Sequence, residues 1–174
     1  MKSRQRVKTF LELAVTVVLL TGLDQWTKFM AVKHLKDQAD IPLIPNVLYL
    51  KYLENRGAAF GMFQGQKIFL LILTGIVILG VCFVLWKLPE EKKFRWLKWL
   101  CFLIFSGGIG NMIDRVRLNY VVDFIYFSPI DFPIFNVADI YVTVSMILLL
   151  ILVLFYYKEE DFSFLKWKKD NGRE

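Results

Sequence analysis

The chain has 174 residues, 56% of them hydrophobic and 16% aromatic, with a net charge of +6. Soluble domains are nearer about 45–50% apolar, and here the excess lies in long runs, so the class is a multi-spanning membrane protein. The basic residues flank those runs without forming a stripe interleaved with aromatics, which argues against a nucleic-acid partner. His34 is the only histidine, and Cys82 and Cys101 lie inside apolar runs, which argues against a histidine triad or a zinc site.

Residues 1–8 carry four basic groups and no acid, and the run from Phe10 to Leu23 is apolar apart from Glu12 and a few small residues. A basic start before an apolar run has the shape of a secretory leader. No small-residue cleavage site follows, however, and the helical pattern continues through Asp24 to Met30. A first span is predicted over about residues 10–30, ending in a polar patch. Asp24 and Lys28 are four apart and share a helix face. They form either a salt bridge at a helix end or a pair that orients a neighbouring active site.

Residues 33–67 form the first long non-spanning segment, in which Pro42 and Pro45 preclude a helix. Val47 to Leu53 is rich in strand formers and predicts a β-strand. In the block Asn55-Arg56-Gly57-Ala58-Ala59-Phe60-Gly61, the two glycines permit tight turning, and composition favours a turn over a site. Residues 58–66 are expected as a short amphipathic helix on the membrane surface. Residues 68–86 predict a second span without charge, a scaffold element. The loop 87–98 is basic, and 99–116 is the third span. Its second half, Ser106 to Arg115, is rich in small residues that admit a helix or a ligand closely. Asn111 and Asp114 share a face there, and Arg115 and Arg117 are expected to compensate Asp114. Tyr120 to Phe127 predicts a second strand containing Asp123, and Pro129 and Pro133 make the following loop irregular. The fourth span covers 137–157, with Asn136 near its cap and Asp139 in its first turn. The charged tail, 158–174, lies either at the interface or in solvent.

Four spans place both termini on one side. Residues 1–8, 87–98 and 158–174 hold four, five and five Lys or Arg in 37 residues, whereas the longer loops 33–67 and 117–136 hold five and one. The first set is therefore expected to be cytoplasmic. Asp24, Asn55, Asn111, Asp114, Asp123 and Asp139 then gather near the outer face.

Asp123 and Asp139 sit in apolar surroundings with no basic residue within four positions. A charged Asp at the centre of a spanning helix costs about 2.5–3.5 kcal/mol, and a group kept at such a cost is a functional candidate. Two carboxylates within hydrogen-bond reach share a proton. One then serves as base on a water while the other donates to a carbonyl, which suits amide hydrolysis without a covalent intermediate. Asp24 and Asp114 have cations close in sequence. Asp123, Asp131 and Asp139 remain as candidates, and residue chemistry alone does not choose between them. The alternative reading is a small proton-coupled transporter using the same aspartates. Against it, the polar residues cluster at one depth and do not line a path across.

Four blocks resemble the lipoprotein signal peptidases (signal peptidase II), the membrane aspartic peptidases of bacteria. They are Asp24-Gln25-x-Thr27-Lys28; Asn55 to Gly61; Gly107 to Arg115 with Val121-Val122-Asp123-Phe124; and Phe135-Asn136-Val137-Ala138-Asp139. The resemblance covers residues 10–157 and implies an α-helical membrane protein of four transmembrane helices. A small extracytoplasmic β-sheet and a short surface helix would lie between the first two spans. It implies Asp123 and Asp139 as the catalytic dyad. Asp24, Lys28, Asn55, Gly57, Gly108, Asn111, Arg115, Asn136 and Ala138 are implied as residues that support the dyad or hold substrate. Gly107, Gly108 and Gly110 are expected to leave room for substrate backbone. Gly108 stands where the family usually has Ala, and the loop between the aspartates is somewhat short. The implied reaction removes the signal peptide of a diacylglyceryl-modified prolipoprotein just before its lipidated cysteine, in the bacterial cell membrane. No metal or organic cofactor and no obligate protein partner is implied. The partners are the substrate and membrane lipid.

Overall fold

The computed structural model describes residues 2–165. The helices are α1 (Lys2–Leu35), α2 (Lys67–Lys87), α3 (Arg95–Leu118) and α4 (Val137–Phe155), and the strands are β1 (Ile41–Ile44), β2 (Leu48–Asn55) and β3 (Val121–Phe127). Among the described residues, three helical segments suffice by length and composition to cross a membrane: α2, α3 with the turn before it (Lys92–Leu118), and α4. Each presents apolar side chains outward, such as Ile68, Ile72 and Leu79 on α2 and Leu150, Leu154 and Phe155 on α4. A soluble protein would bury them. In lipid they need no cover.

Helix α3 is central, packing on α1, α2 and α4. The main core lies at the end holding the start of α1 and the α2–α3 turn. There Leu13, Val81, Leu85, Phe94, Leu97, Cys101, Phe102 and Tyr157 meet. Phe94 stacks on Tyr157 at 5.8 Å between centroids, and Phe162 and Phe164 join them from the short helix Glu159–Leu165. That part of the tail is thus docked by its aromatics and by an ion pair of Asp161 with Lys93 at 2.5 Å. Residues 166–174 of the basic tail lie outside the described residues.

At the other end, Ala31 and Leu35 of α1 pack on Val122 and Phe124 of β3. This contact fixes the sheet to the bundle. The sheet runs β1-β2-β3, all antiparallel, with Leu53 opposite Asp123 and Asn55 opposite Val121. Strand β1 escapes the sequence reading because Pro42 excludes a helix without excluding an edge strand.

The surface helix expected over 58–66 does not form. Only a three-residue turn of 3-10 helix, Ala59–Gly61, is present. Phe60 (φ 56), Gly61 (φ 71), Phe63 (φ 58) and Gly65 (φ 74) all adopt left-handed backbone. Four such residues in six positions cannot propagate a right-handed helix.

Candidate active site

Asp139 is placed by a capping box. Asn136, in extended conformation, caps α4. Its Oδ1 accepts the N–H of Asp139 at 3.0 Å, and Asp139 Oδ2 accepts the N–H of Asn136 at 3.1 Å. The carboxylate therefore sits at the positive end of the α4 dipole, partly exposed. Its Oδ1 accepts a second donor, Asn111 Nδ2 of α3, at 2.8 Å.

Asp123 comes from β3 and is 1% exposed. Residues two apart on a strand share a face, and Asn55 is the diagonal neighbour of Asp123 across the β2–β3 pair. Asn55 Nδ2 accordingly donates to Asp123 Oδ2 at 2.8 Å, and Asn136 Nδ2 donates to Asp123 Oδ1 at 2.6 Å. Asn136 thus binds both carboxylates, Asp123 through its side chain and Asp139 through its main chain. Burial, and then the neighbouring charge of Asp139, push the Asp123 carboxyl up to about 7, against the pull of the two amide donors.

Each of the three asparagines has its oxygen held by a donor. Gly57 N–H binds Asn55 Oδ1 at 2.9 Å, Asp139 N–H binds Asn136 Oδ1 at 3.0 Å, and Lys28 Nζ binds Asn111 Oδ1 at 2.9 Å. An amide whose oxygen is held must turn its NH₂ the other way. All three NH₂ groups face Asp123 or Asp139.

Beneath the pair lies a buried ionic cluster. Lys28, 3% exposed, bonds Asp24 at 2.9 Å and Asp114 at 3.1 Å. Asp24 Oδ1 accepts the N–H of Ala138 at 2.9 Å, and Asp114 Oδ2 accepts the N–H of Val122 at 3.1 Å. Gln25 Nε2 ties Asp114 (2.8 Å) to Asp24 and to the Gly110 carbonyl, both at 3.2 Å. Among the described residues, every buried side-chain nitrogen and oxygen has a hydrogen-bond partner. A buried cluster of this kind holds its geometry only when it is fully satisfied.

Several expected contacts are placed differently. Lys28, and not Arg115 or Arg117, is the cation that Asp114 meets. Sequence adjacency misleads here, because neighbours on a helix diverge by about 100°. Arg115 reaches across to the Gly57 carbonyl at 2.9 Å and fixes the loop after β2. The glycines of α3 face neighbouring helices. A methyl on Gly107 would lie 2.6 Å from the Ala138 carbonyl, and one on Gly110 would lie 2.6 Å from Asp24 Oδ2. Gly108 faces Thr74 and Ile78 of α2, away from both carboxylates. Asp131 is exposed, with left-handed backbone, and accepts the Tyr126 hydroxyl at 2.7 Å outside this network. Asp114 and Gln25 belong to the site although the sequence reading does not assign them to it. The sequence signal was partial: Lys28 has Asp24 one helical turn away, but Asp114 reaches it only through the packing of α1 on α3. Among the described residues no cluster of His, Cys, Asp and Glu is arranged to hold a metal ion.

Comparison with known proteins gives a consistent result. The family model described as "Signal peptidase (SPase) II" matches residues 16–155. A lipoprotein signal peptidase of Streptococcus thermophilus is 48% identical over 158 residues, covering 91% of this chain and 94% of the relative. One from Streptococcus pyogenes serotype M1 is 45% identical over 148 residues, covering 85% and 94%. Among solved structures, a bacterial membrane enzyme determined in meso at 2.3 Å superposes with a TM-score of 0.76 at 32% identity, covering 91% of this chain and 93% of the other. A second, at 1.9 Å, superposes with 0.72 at 31% identity, covering 84% and 94%. The transporter alternative finds no support in these matches.

Proposed function

Because this chain belongs to the signal peptidase II family, we propose that it is an aspartic endopeptidase of the bacterial cell membrane, with Asp123 and Asp139 as its dyad. Its substrates are prolipoproteins carrying diacylglycerol on a cysteine, and it cuts just before that cysteine. The observation that carries this reading is Asn136, which donates to Asp123 at 2.6 Å and to Asp139 at 3.1 Å and so holds two carboxylates from different elements at one point.

The two acids divide the work. Asp139 carries the negative charge, supported by the α4 N-terminus and by two N–H donors. Asp123, 1% exposed where Asp139 is partly exposed, carries the shared proton. Asp139 takes a proton from water as the water oxygen bonds to the scissile carbonyl carbon, and Asp123 gives its proton to the carbonyl oxygen. In the collapse, the C–N bond breaks, Asp139 passes its proton to the leaving nitrogen, and Asp123 regains one from the hydroxyl. The products are the carboxyl end of the signal peptide and a free amine on the lipidated cysteine. Asn55, Asn111 and Asn136 hold the carboxylates. Arg115 and Gly57 hold the loop that borders them. Asp24, Lys28 and Ala138 fix the start of α4.

In this reading α1 is a fourth span, both termini and the 87–98 loop are cytoplasmic, and the dyad lies near the outer face. The substrate's acyl chains then contact the apolar flanks of the helices. The test is cleavage in liposomes of a synthetic prolipoprotein, with and without diacylglycerol on its cysteine, by wild type and by Asp139→Asn. Cutting of the lipidated substrate alone, by wild type alone, is expected. Cutting by the variant, or no preference for lipid, would overturn the reading.

A further inference from the structure

Strand β2 ends on the residue that touches the proposed dyad. Asn55 is its last member, opposite Val121, and a bulge between Leu50 and Leu53 interrupts the ladder just before it. Beyond that bulge Leu53, Glu54 and Asn55 pair with β3. A short strand end of this kind frays unless something outside the ladder holds it. Side chains alternate along a strand, so Glu54 and Asn55 point to opposite faces. Asn55 meets Asp123 at 2.8 Å. Glu54 turns away from the dyad to a cluster at the end of α1. Lys36, the residue after that helix, bonds Glu54 Oε1 at 2.9 Å, and the Tyr52 hydroxyl donates to the same oxygen at 3.3 Å. Arg56 reaches Glu54 Oε2 at 3.4 Å and lies 5.7 Å from the centre of the Tyr120 ring. The two residues that flank Asn55 are therefore clasped to each other on the far face. A one-residue slip would exchange the faces and turn the Glu54 carboxylate toward Asp123.

We propose that Glu54 is a positioning residue: by binding Lys36 and Arg56 it pins the end of β2 to α1 and keeps the Asn55 amide on Asp123. A single exposed ion pair contributes little, but here three donors converge on both oxygens of one partly buried carboxylate. The kinetic consequence rests on the dyad reading, whereas the hold on Asn55 does not. The charged groups that face Asp123 are Asp139 on α4, Lys28 on α1 and Arg115 on α3. Against burial and the charge of Asp139, the Asn55 donor pulls the Asp123 carboxyl down. Loss of that amide therefore raises it further. Removal of the Glu54 charge by itself acts in the opposite sense, since one negative charge fewer favours ionisation of Asp123. The sign of the shift separates positioning from charge.

The test is the titration of Asp123 in the full-length protein in detergent, read from its carboxyl stretch by infrared difference, each protein against its own Asp123→Asn counterpart. It is paired with kcat/KM across pH on the lipidated prolipoprotein. Glu54→Ala should raise the Asp123 midpoint by about one pH unit, the order of one hydrogen bond to a charged group. The alkaline limb of kcat/KM should move up with it, and kcat should fall several-fold. Asn55→Ala should give the same upward shift, and adding Glu54→Ala to it should give no further one, because both act through one amide. Lys51→Ala removes another exposed ion pair of β2, that of Lys51 with Asp40 at 3.4 Å, and should leave the midpoint in place. An unchanged or lowered midpoint in Glu54→Ala, a larger shift in the double variant than in Asn55→Ala, or an equal shift in Lys51→Ala would each overturn the proposal. The infrared midpoint needs no substrate. A protein that shows these shifts but fails to cleave would overturn the dyad reading and support the role of Glu54.

Discussion

Asp24 accepts, at 2.9 Å, the main-chain N–H of Ala138, the residue immediately before Asp139. The same relation recurs on the other side of the site. Asp114 accepts the N–H of Val122, the residue immediately before Asp123, at 3.1 Å. Two buried aspartates thus each hold the backbone beside one member of the proposed dyad, and Lys28 binds both of them. Helix α4 and strand β3 are far apart in sequence order from α1, yet one lysine of α1 sets their spacing. The first prediction comes from that lysine.

Lys28→Met should destabilise the protein by about 3–5 kcal/mol, because it leaves buried carboxylates without their cation. It should also free the Asn111 amide, whose oxygen Lys28 holds at 2.9 Å. Adding Asp114→Asn to Lys28→Met removes one of the two stranded charges and should recover part of the loss. Thermal unfolding in detergent measures both. A Lys28→Met protein as stable as wild type would show that the cluster is not what fixes the site.

Asp123→Asn and Asp139→Asn should each lower cleavage by about 10²–10⁴-fold, the usual worth of a proton-transfer group, while insertion and folding are retained. The change in volume is small, and each variant keeps one of the two side-chain oxygens that accept N–H donors, so at most one hydrogen bond is lost at each site. Asp131→Asn should retain most activity, since the Asp131 carboxylate is exposed and accepts the Tyr126 hydroxyl outside the site. Turnover assays on the three variants decide this. A dead Asp131→Asn enzyme would reopen the choice of pair.

The raised carboxyl of Asp123 predicts a pH dependence with a definite sign. Its folded value, about 7, lies above the ordinary value of about 3.9. The folded protein therefore holds this proton more tightly than the unfolded chain. The stability this contributes is complete below about pH 4 and is lost as pH rises through about 7. Activity that needs Asp123 protonated should fall over the same alkaline limb. In Asp123→Asn the stability loss between pH 4 and 7 should be reduced, because the titrating group is gone. Thermal midpoints and kcat/KM across pH 5–9 test it. A wild-type kcat/KM that stays level from pH 6 to 9 would contradict the assignment of the proton to Asp123.

Much of this was legible in the residues. The apolar runs located α2 and α4 to within two residues, with predicted spans of 68–86 and 137–157 against Lys67–Lys87 and Val137–Phe155. The isolation of Asp123 and Asp139 from cations in sequence matches a structure in which amides, not ion pairs, are their direct partners. Three-dimensional pairing was not legible. Local spacing suggested Arg115 for Asp114, but only the packing of α1 on α3 brings Lys28 there. The loop after β2 was misread because Phe60 and Phe63 favour an apolar helical face by composition. Their left-handed backbone is held by contacts distant in sequence, including Arg115 on the Gly57 carbonyl and the packing of Phe60 against Phe132.

The glycines of α3 give a prediction that separates packing from catalysis. A methyl added at Gly107 would sit 2.6 Å from the Ala138 carbonyl and 2.8 Å from a Val142 methyl, so α3 and α4 would have to separate. Gly107→Ala should therefore cost about 1–3 kcal/mol, the usual result of overpacking, and lower kcat by moving Asp139 away from Asn111. Gly110→Ala presses on Asp24 at 2.6 Å and should act the same way through the ionic cluster. Gly108→Ala meets α2 side chains at an ordinary 3.5–3.7 Å. It should leave activity unchanged and gain up to about 1 kcal/mol, because alanine is the better helix former. Thermal midpoints and kcat on the three variants make the comparison. If Gly108→Ala were as damaging as Gly107→Ala, these glycines would serve bound substrate and not the seams between helices.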